Sequence, residues 1–364
     1  MDFSLTQAQQ DLAALTRDIL ADHVTQERLR AVESGTDHFD RSLWTVLGSA
    51  GVLSAALPES AGGSGFDLLE QCSVLVEIGR HVAPVPYLCS VVQAASAIAH
   101  FGTPEQRERW LAPSGLVLTA ALSEEHNEDP AKPVTRAELV ADRWCLTGAK
   151  TTVPSGPVAD LFLVPASTPD GVKVFLVRPE DEGVRLARQE IVDGDSAAWL
   201  ELTTVALPRD RELAVSADWL VTRGTVGLCA LQLGVAERAL ELTAEHARTR
   251  VQFDRPIGSF QAVSQRLADA YVAVEAIRLT LWQAAWRVVA GLPADSEVAT
   301  AKFWAAEAGH QVAHTAVHVH GGMGIDLDHP LHRYFVAAKR TEFALGGATA
   351  QLRRIGAALA ASPA

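Results

Sequence analysis

Positive charge is in short supply in this sequence, where 31 lysines and arginines stand against 44 aspartates and glutamates, a formal net charge of -13. Neutralising a polyanion takes clustered Lys and Arg, so nucleic acid is not an expected partner. Cysteine is scarce as well. The four cysteines, Cys72, Cys89, Cys145 and Cys229, have no metal-type spacing and read as small core residues of a chain kept in a reducing cytoplasm. No apolar run approaches transmembrane length, and the opening Met1-Asp2-Phe3-Ser4-Leu5-Thr6 has neither a basic leader nor an apolar stretch, so neither a membrane nor secretion is expected. Internal repeats are missing too. What is present is apolar material: 48% of 364 residues are hydrophobic, enough for a large core and against disorder.

The periodicity of that material changes twice. From Thr6 to about Trp110 apolar residues recur at helical spacing, as in Leu12, Leu15 and Leu20, then Leu68, Leu69, Cys72, Leu75, Val76 and Ile78. Pro58 and Gly62-Gly63-Ser64-Gly65 interrupt the pattern, Asp67 stands where an N-cap would restart it, and Thr103-Pro104 reads as a cap followed by Pro at the first helical position. Between about Leu116 and Pro208 the runs become short and β-rich: Leu116 to Leu122, Leu139 to Leu146, Leu161 to Val164, Val172 to Val177 and Ala198 to Leu207. After Ser216 helices return, expected around Val221 to Arg248, Ser264 to Val289, Ser296 to His318 and Glu342 to Leu359. The order helices, strands, helices predicts an α+β chain with an N-terminal helical domain (1–115), a middle β domain (116–215) and a C-terminal helical bundle (216–364).

Two motifs carry chemistry. The first is Arg250-Val251-Gln252-Phe253-Asp254-Arg255-Pro256-Ile257-Gly258-Ser259-Phe260-Gln261 followed by Leu267-Ala268-Asp269, and the second is His318-Val319-His320-Gly321-Gly322-Met323-Gly324. Taken singly, each residue has a plain reading: Arg250 a solvated helix-end arginine, Phe253 a core residue, Gly321 and Gly322 an ordinary turn. His318 and His320 lack the carboxylate or cysteine companions of a metal site, so no metal is expected. In this order and spacing, however, the segments resemble the R-x-x-F-G-x-x-I-x-x-F-Q...L-A-D and Q-x-x-G-G-x-G signatures of the acyl-CoA dehydrogenases. Leu57-Pro58-Glu59, Phe101-Gly102-Thr103-Pro104-Glu105-Gln106 and Leu146-Thr147-Gly148-Ala149-Lys150 extend the resemblance over nearly the whole chain.

The resemblance implies an N-terminal helical domain, a central β domain, a C-terminal four-helix bundle, and FAD at a subunit interface. It implies an oxidoreductase in which a glutamate takes the α-proton of an acyl-CoA while the β-hydrogen leaves as hydride to the flavin, with electron-transfer flavoprotein as acceptor. In the family the two motifs contact the flavin of the neighbouring subunit, which here means Arg250, Gln252, Phe253, Gln261, His318, Gly321 and Gly322. A guanidinium such as Arg250 suits a pyrophosphate, Phe253 can cover an aromatic ring, and Gly321 and Gly322 clear side chains where cofactor and backbone meet. His318 stands where glutamine is common in the family, and both side chains can donate a hydrogen bond.

Departures from the family pattern are concentrated elsewhere. Its catalytic glutamate lies at one of two places, and here those positions match Gly347 and Gly224, neither of which can take a proton. Glu342 and Glu237 lie near them in sequence but on other helical positions, where exposed-face glutamates are the expectation. The segment matching the flavin-cradling T-E-P-x-A-G-S-D reads Ser123-Glu124-Glu125-His126-Asn127-Glu128-Asp129, and the G-x-K-x-W-I-T/S match fails at Thr152, Val153 and Pro154. Contacts made within the chain are lost and those made toward a neighbour are kept. That asymmetry resembles the base-lacking subunit of actinobacterial α2β2 steroid or cholesterol side-chain acyl-CoA dehydrogenases, whose partner would be a related chain carrying the glutamate. Two other readings stay open: a homomeric dehydrogenase with an unrecognised base, which would be yellow when purified alone, and a non-enzymatic scaffold of a related enzyme, whose complex would keep its flavin without Arg250.

Overall fold

Thr6 opens the first helix with the capping box its sequence spells, its hydroxyl accepting from the Gln9 N–H while the Gln9 side chain accepts from the Thr6 N–H. The computed structural model describes residues 5–59, 62–112 and 115–361, so Met1 to Ser4 lie outside the described residues. Helices α1 (Gln7–His23), α2 (Gln26–Glu33), α3 (Arg41–Ser49) and α4 (Leu68–His81) come first. A π-helix, Leu88–Ala95, then runs into α5 (Ser96–Phe101), and α6 (Pro104–Leu111) begins with the expected Thr103 cap and Pro at its first turn. The chain divides into two compact units, one made of Met1–Gln26, Cys72–Ala83 and Thr225–Ala364, the other of Glu27–Gln71 and Pro84–Gly224.

The second of these units holds the sheet. Its strands are β1 (Leu118–Ala120), β2 (Arg136–Val140), β3 (Arg143–Pro154), β4 (Leu161–Thr168), β5 (Gly171–Val177), β6 (Val184–Gln189), β7 (Ala197–Pro208) and β8 (Glu212–Leu213). The order is β6-β7-β3-β2-β4-β5-β8 with β1 parallel beside β4. One face buries Trp144, Leu146, Phe162, Val164, Phe175, Leu200 and Leu202 in a single apolar cluster. The expected run Leu139 to Leu146 proves to be two strands, because Ala141 takes a left-handed φ of 55° and turns the chain into a β2–β3 hairpin. Strand β6 was not expected: its central residues Arg185 to Arg188 are all exposed, so no apolar alternation announces it.

The first unit is mainly helical, with α7 (Ala217–Thr249) from Thr225 onward, β9 (Val251–Gln252), β10 (Arg255–Pro256), α8 (Gln261–Val289), α9 (Asp295–His320), α10 (Leu331–Phe343) and α11 (Ala348–Ala361). The expected helix Glu342 to Leu359 is broken, since Leu345 and Gly346 take φ of 54° and 95° and reverse the chain between α10 and α11. Glycines let α4 and α7 meet closely: a Cβ on Gly79 would lie 2.2 Å from the Leu231 carbonyl oxygen and one on Gly234 2.0 Å from that of Val76. Arg80 clamps the same crossing, its guanidinium 2.7 Å from both Glu237 and Glu241. Of the cysteines, Cys72, Cys89 and Cys229 are buried as expected and Cys145 is only half-buried. Against the expectation that no stretch has transmembrane length, α7 is long and apolar enough to cross a membrane; 83% of its apolar window is buried inside the protein, the mark of a core helix.

One charge sits deep in this helical core. Lys302 is fully buried and its Nζ donates to the carbonyl oxygens of Thr341 (2.8 Å) and Glu342 (3.1 Å) at the C-terminal end of α10, where a cation complements the helix dipole. Burial pushes its ammonium down to about 8, against the opposing pull of Cys229 and Glu342, while burial raises the Cys229 thiol to about 12. The unfolded lysine keeps its proton to 10.5, so unfolding takes up a proton between about 8 and 10.5 and stability rises with pH there; the thiol, ordinarily 9.0, opposes only above that value. The urea midpoint is therefore expected to rise between about pH 8 and about pH 9, and Lys302→Met to flatten that rise. An identical slope in the variant would assign the titration to another group.

Candidate functional site

The residues of the first motif lie on a hairpin that directly follows α7. Gln252 pairs with Arg255 and Val251 with Pro256, which leaves Phe253 and Asp254 as a two-residue turn with φ of 51° and 61°. Two positive φ values define the turn type that matches strand twist, and Asp tolerates the second position where the family has glycine. A phenylalanine in the left-handed region is strained, by on the order of 1 kcal/mol or more, and here it gains no burial in return. Phe253 is 87% exposed, so it is not the core residue its apolar character alone would make it. Arg250 and Gln252 are exposed beside it, the Ile257 N–H closes the base of the hairpin on the Arg250 carbonyl (2.8 Å), and Gln261 begins α8 on the surface.

The second motif lies at the end of α9. His318 is exposed on the last turn, Gly321 ends the helix at φ 64°, and a Cβ on either Gly321 or Gly322 would meet nothing within 4 Å. The two motifs are brought together by rings that were not among the expected site residues. His246, on the last turn of α7, stacks on His320 with centroids 4.3 Å apart, and His320 lies 5.1 Å from His329. The only signal in the sequence was His320 itself, considered solely as a metal ligand. Among the described residues no group of three His, Cys, Asp or Glu could hold a metal ion.

Glycines stand at the two family base positions. Gly347 caps α11, its carbonyl accepting from the Gln351 N–H (3.2 Å), and a Cβ there would meet the Glu342 carbonyl oxygen at an ordinary 3.5 Å. Packing does not require the glycine. Gly224 is buried within α7. The neighbouring glutamates are not the exposed-face residues expected: Glu237 is held by Arg80 and Arg278, both at 2.7 Å, and Glu342 by Lys339 at 2.8 Å and His310 at 3.2 Å, with side chains 11% and 14% exposed.

The segment that departs most from the pattern is internally bonded. Glu124 accepts from Lys150 Nζ (2.7 Å), the Val134 N–H (2.6 Å), the Thr135 N–H (2.9 Å) and Asn127 Nδ2 (3.0 Å), in a site where Lys150 is 0% and Glu124 1% exposed. Burial alone would raise this carboxyl; the charge of Lys150 and the converging donors outweigh it and hold it at about 2. Sequence reasoning passed over the pair, although Gly148-x-Lys150 survives as its trace. Downstream, the Thr151 N–H donates to the Ser123 carbonyl (2.9 Å), the Thr152 N–H to Gln189 Oε1 (2.7 Å), and the Pro154 carbonyl accepts from the Thr119 hydroxyl (2.7 Å).

Comparison with known proteins gives two matches within the chain, "Acyl-CoA dehydrogenase, N-terminal domain" over residues 6–114 and "Acyl-CoA dehydrogenase, C-terminal domain" over residues 216–360. The chain belongs to the acyl-CoA dehydrogenase family. It is similar to acyl-CoA dehydrogenase FadE27 of Mycobacterium tuberculosis (strain ATCC 25618 / H37Rv), 53% identical over 377 residues that cover 100% of both chains. Among solved structures it is similar to the ChsE4-ChsE5 complex from Mycobacterium tuberculosis, with a TM-score of 0.96 and 53% identity over 100% of each chain. It is also similar to the Tcur3481-Tcur3483 steroid ACAD, with a TM-score of 0.92 and 43% identity over 97% of this chain and 98% of that one.

Acyl-CoA dehydrogenases use FAD, and the two candidate regions of this chain differ in how they suit it. The hairpin and glycine turn fit: they offer an exposed guanidinium, side-chain amides, an uncovered aromatic ring and open space at two glycines. The 151–154 stretch does not fit, because the N–H groups of Thr151 and Thr152 are taken and Pro154 has none.

Proposed function

We propose that this chain is the base-lacking subunit of a heteromeric FAD-dependent acyl-CoA dehydrogenase and completes the flavin site of a related partner in trans. The observation that carries the reading is the contrast just described: donors inside the chain are spent on the chain itself, while Phe253 stands strained and uncovered beside Arg250. When bound, FAD supplies the redox chemistry of the family reaction, taking the β-hydrogen as hydride while a carboxylate removes the α-proton to leave a 2-enoyl-CoA. In this chain Arg250 holds the pyrophosphate, Gln252, Gln261 and His318 donate hydrogen bonds, Phe253 covers an aromatic face, and Gly321 and Gly322 admit the cofactor. The partner supplies the glutamate that Gly347 and Gly224 cannot replace. A homomer using Glu237 or Glu342 as base is disfavoured, since both carboxylates are already engaged by two basic side chains.

The named relatives point to the substrate and assembly. Similarity to the ChsE4-ChsE5 complex supports assembly with a related partner chain, and similarity to a steroid ACAD supports the acyl-CoA of a steroid side chain as substrate; the α2β2 stoichiometry and electron-transfer flavoprotein as electron acceptor rest on the family resemblance alone. Purified alone, the chain is expected to be colourless or nearly so, and to gain FAD only when produced with a related subunit that has glutamate at one of the two base positions. Flavin absorbance per chain, read before and after co-purification, checks this. Stoichiometric FAD on the chain alone would return the homomeric reading.

A further inference from the structure

The three imidazoles behind the flavin-facing edge tie together elements that the proposed function needs as one surface. His246 lies four residues before Arg250, and its carbonyl accepts the Arg250 N–H at 2.8 Å. His320 immediately precedes Gly321-Gly322, is 7% exposed, and donates Nδ1–H to the Ala316 carbonyl at 2.8 Å. His329 closes the loop that leads from that turn to α10, its Nδ1 accepting the Leu331 N–H at 3.3 Å. The His246 and His320 rings lie 4.3 Å apart at 22° to each other, and the His320 and His329 rings 5.1 Å apart at 58°. Rings placed face to face stack well when neutral and repel when both are charged.

We propose that His246, His320 and His329 are positioning residues: neutral, they hold the Arg250–Phe253 hairpin and the Gly321–Gly322 turn as one surface, and protonation lets that surface come apart. This rests on the reading that the surface meets a partner's flavin. The surroundings favour the neutral form. Burial first, then neighbouring charge, lowers all three: Arg250 and His329 act on His246, His246 and His329 on His320, and His332 on His329. Asp326 pulls His329 the other way, and the hydrogen bond to Ala316 does so for His320, in neither case enough to reverse the direction. Each folded value lies below the ordinary 6.5, so the stack's contribution is complete above about pH 6.5 and is lost as pH falls through the depressed values.

The test compares wild type, His246→Phe, which keeps a stacking ring without a titrating proton, and His329→Gln, which keeps an acceptor for the Leu331 N–H. Amide exchange over residues 250–256 and 321–325 is measured in the chain alone at about pH 7.5 and about pH 5.5, corrected for intrinsic exchange. Flavin retained by the assembled complex after gel filtration is read under the same conditions. Wild type should exchange faster at the lower pH and should shed flavin; both variants should flatten the two responses. Wild-type exchange indifferent to pH, or an equal acid response in both variants, would overturn the proposal. If exchange responds and the variants flatten it while flavin retention never changes, the stack stands and the trans flavin reading fails.

Discussion

Glu124→Gln should destabilise the chain by about 3–5 kcal/mol, because it leaves the Lys150 ammonium in a fully buried site facing an amide. The neutral side chain has one oxygen and could still accept from either the Val134 or the Thr135 N–H, which now bond to different carboxylate oxygens, but not from both, and it cannot balance a charge with no access to water. Lys150→Met should cost less, since the carboxylate would keep its backbone and hydroxyl donors. The double variant should recover much of the loss, as expected when a buried pair is replaced rather than broken. Urea unfolding at neutral pH reads all three. A loss below about 1 kcal/mol in Glu124→Gln would mean that Lys150 finds water or sheds its proton at little cost. The pair also has an acid limit: a carboxyl ordinarily at 4.5 and held at about 2 contributes fully above the first value and loses its contribution as pH falls toward the second.

Arg250→Ala should weaken flavin retention in the assembled complex roughly 10- to 150-fold, the equivalent of losing a charge-assisted interaction of about 1.5–3 kcal/mol. The guanidinium is exposed at the base of the hairpin and, among the described residues, makes no hydrogen bond or ion pair, so Arg250 serves the fold through its backbone bonds. Assembly should therefore survive. Arg250→Lys should restore only part of the affinity, because an ammonium keeps the charge and loses the planar fork. Flavin per complex after gel filtration, with the mass of the complex measured alongside, separates the outcomes. Full occupancy in Arg250→Ala would favour the scaffold reading, and a dissociated complex would make Arg250 an assembly residue.

Much of the fold was legible because its signals are local. The Thr103-Pro104 cap, the end of α8 at Val289 and the change of period near Leu116 and Ser216 each depend on a few adjacent residues. What escaped was non-local or depended on backbone conformation. Strand β6 has an exposed face along its centre, and the break between α10 and α11 rests on Leu345, a residue that gives no warning of a left-handed φ. The site divided in the same way. The motif residues from Arg250 to Gln261 were readable in order, but the exposure of Phe253, the joining of His246 to His320 across 74 positions, and the Glu124–Lys150 pair are properties of folded geometry that no spacing announces.

The hydrogen bonds closed around Thr151 and Thr152 also bear on how this chain can change over generations. Replacing Gln189 alone would release the exposed Thr152 N–H to water and free the Thr151 hydroxyl before any cofactor arrived to use them. Replacing Pro154 alone would add an N–H with no ligand to receive it. On the proposed function, a glutamate at position 347 would add a base with no flavin of its own beside it. Each single step toward an independent enzyme costs stability or yields nothing, and only several together would be selectable. On the proposed function, a lineage that reaches this arrangement is held in it, and dependence on a second gene product becomes hereditary.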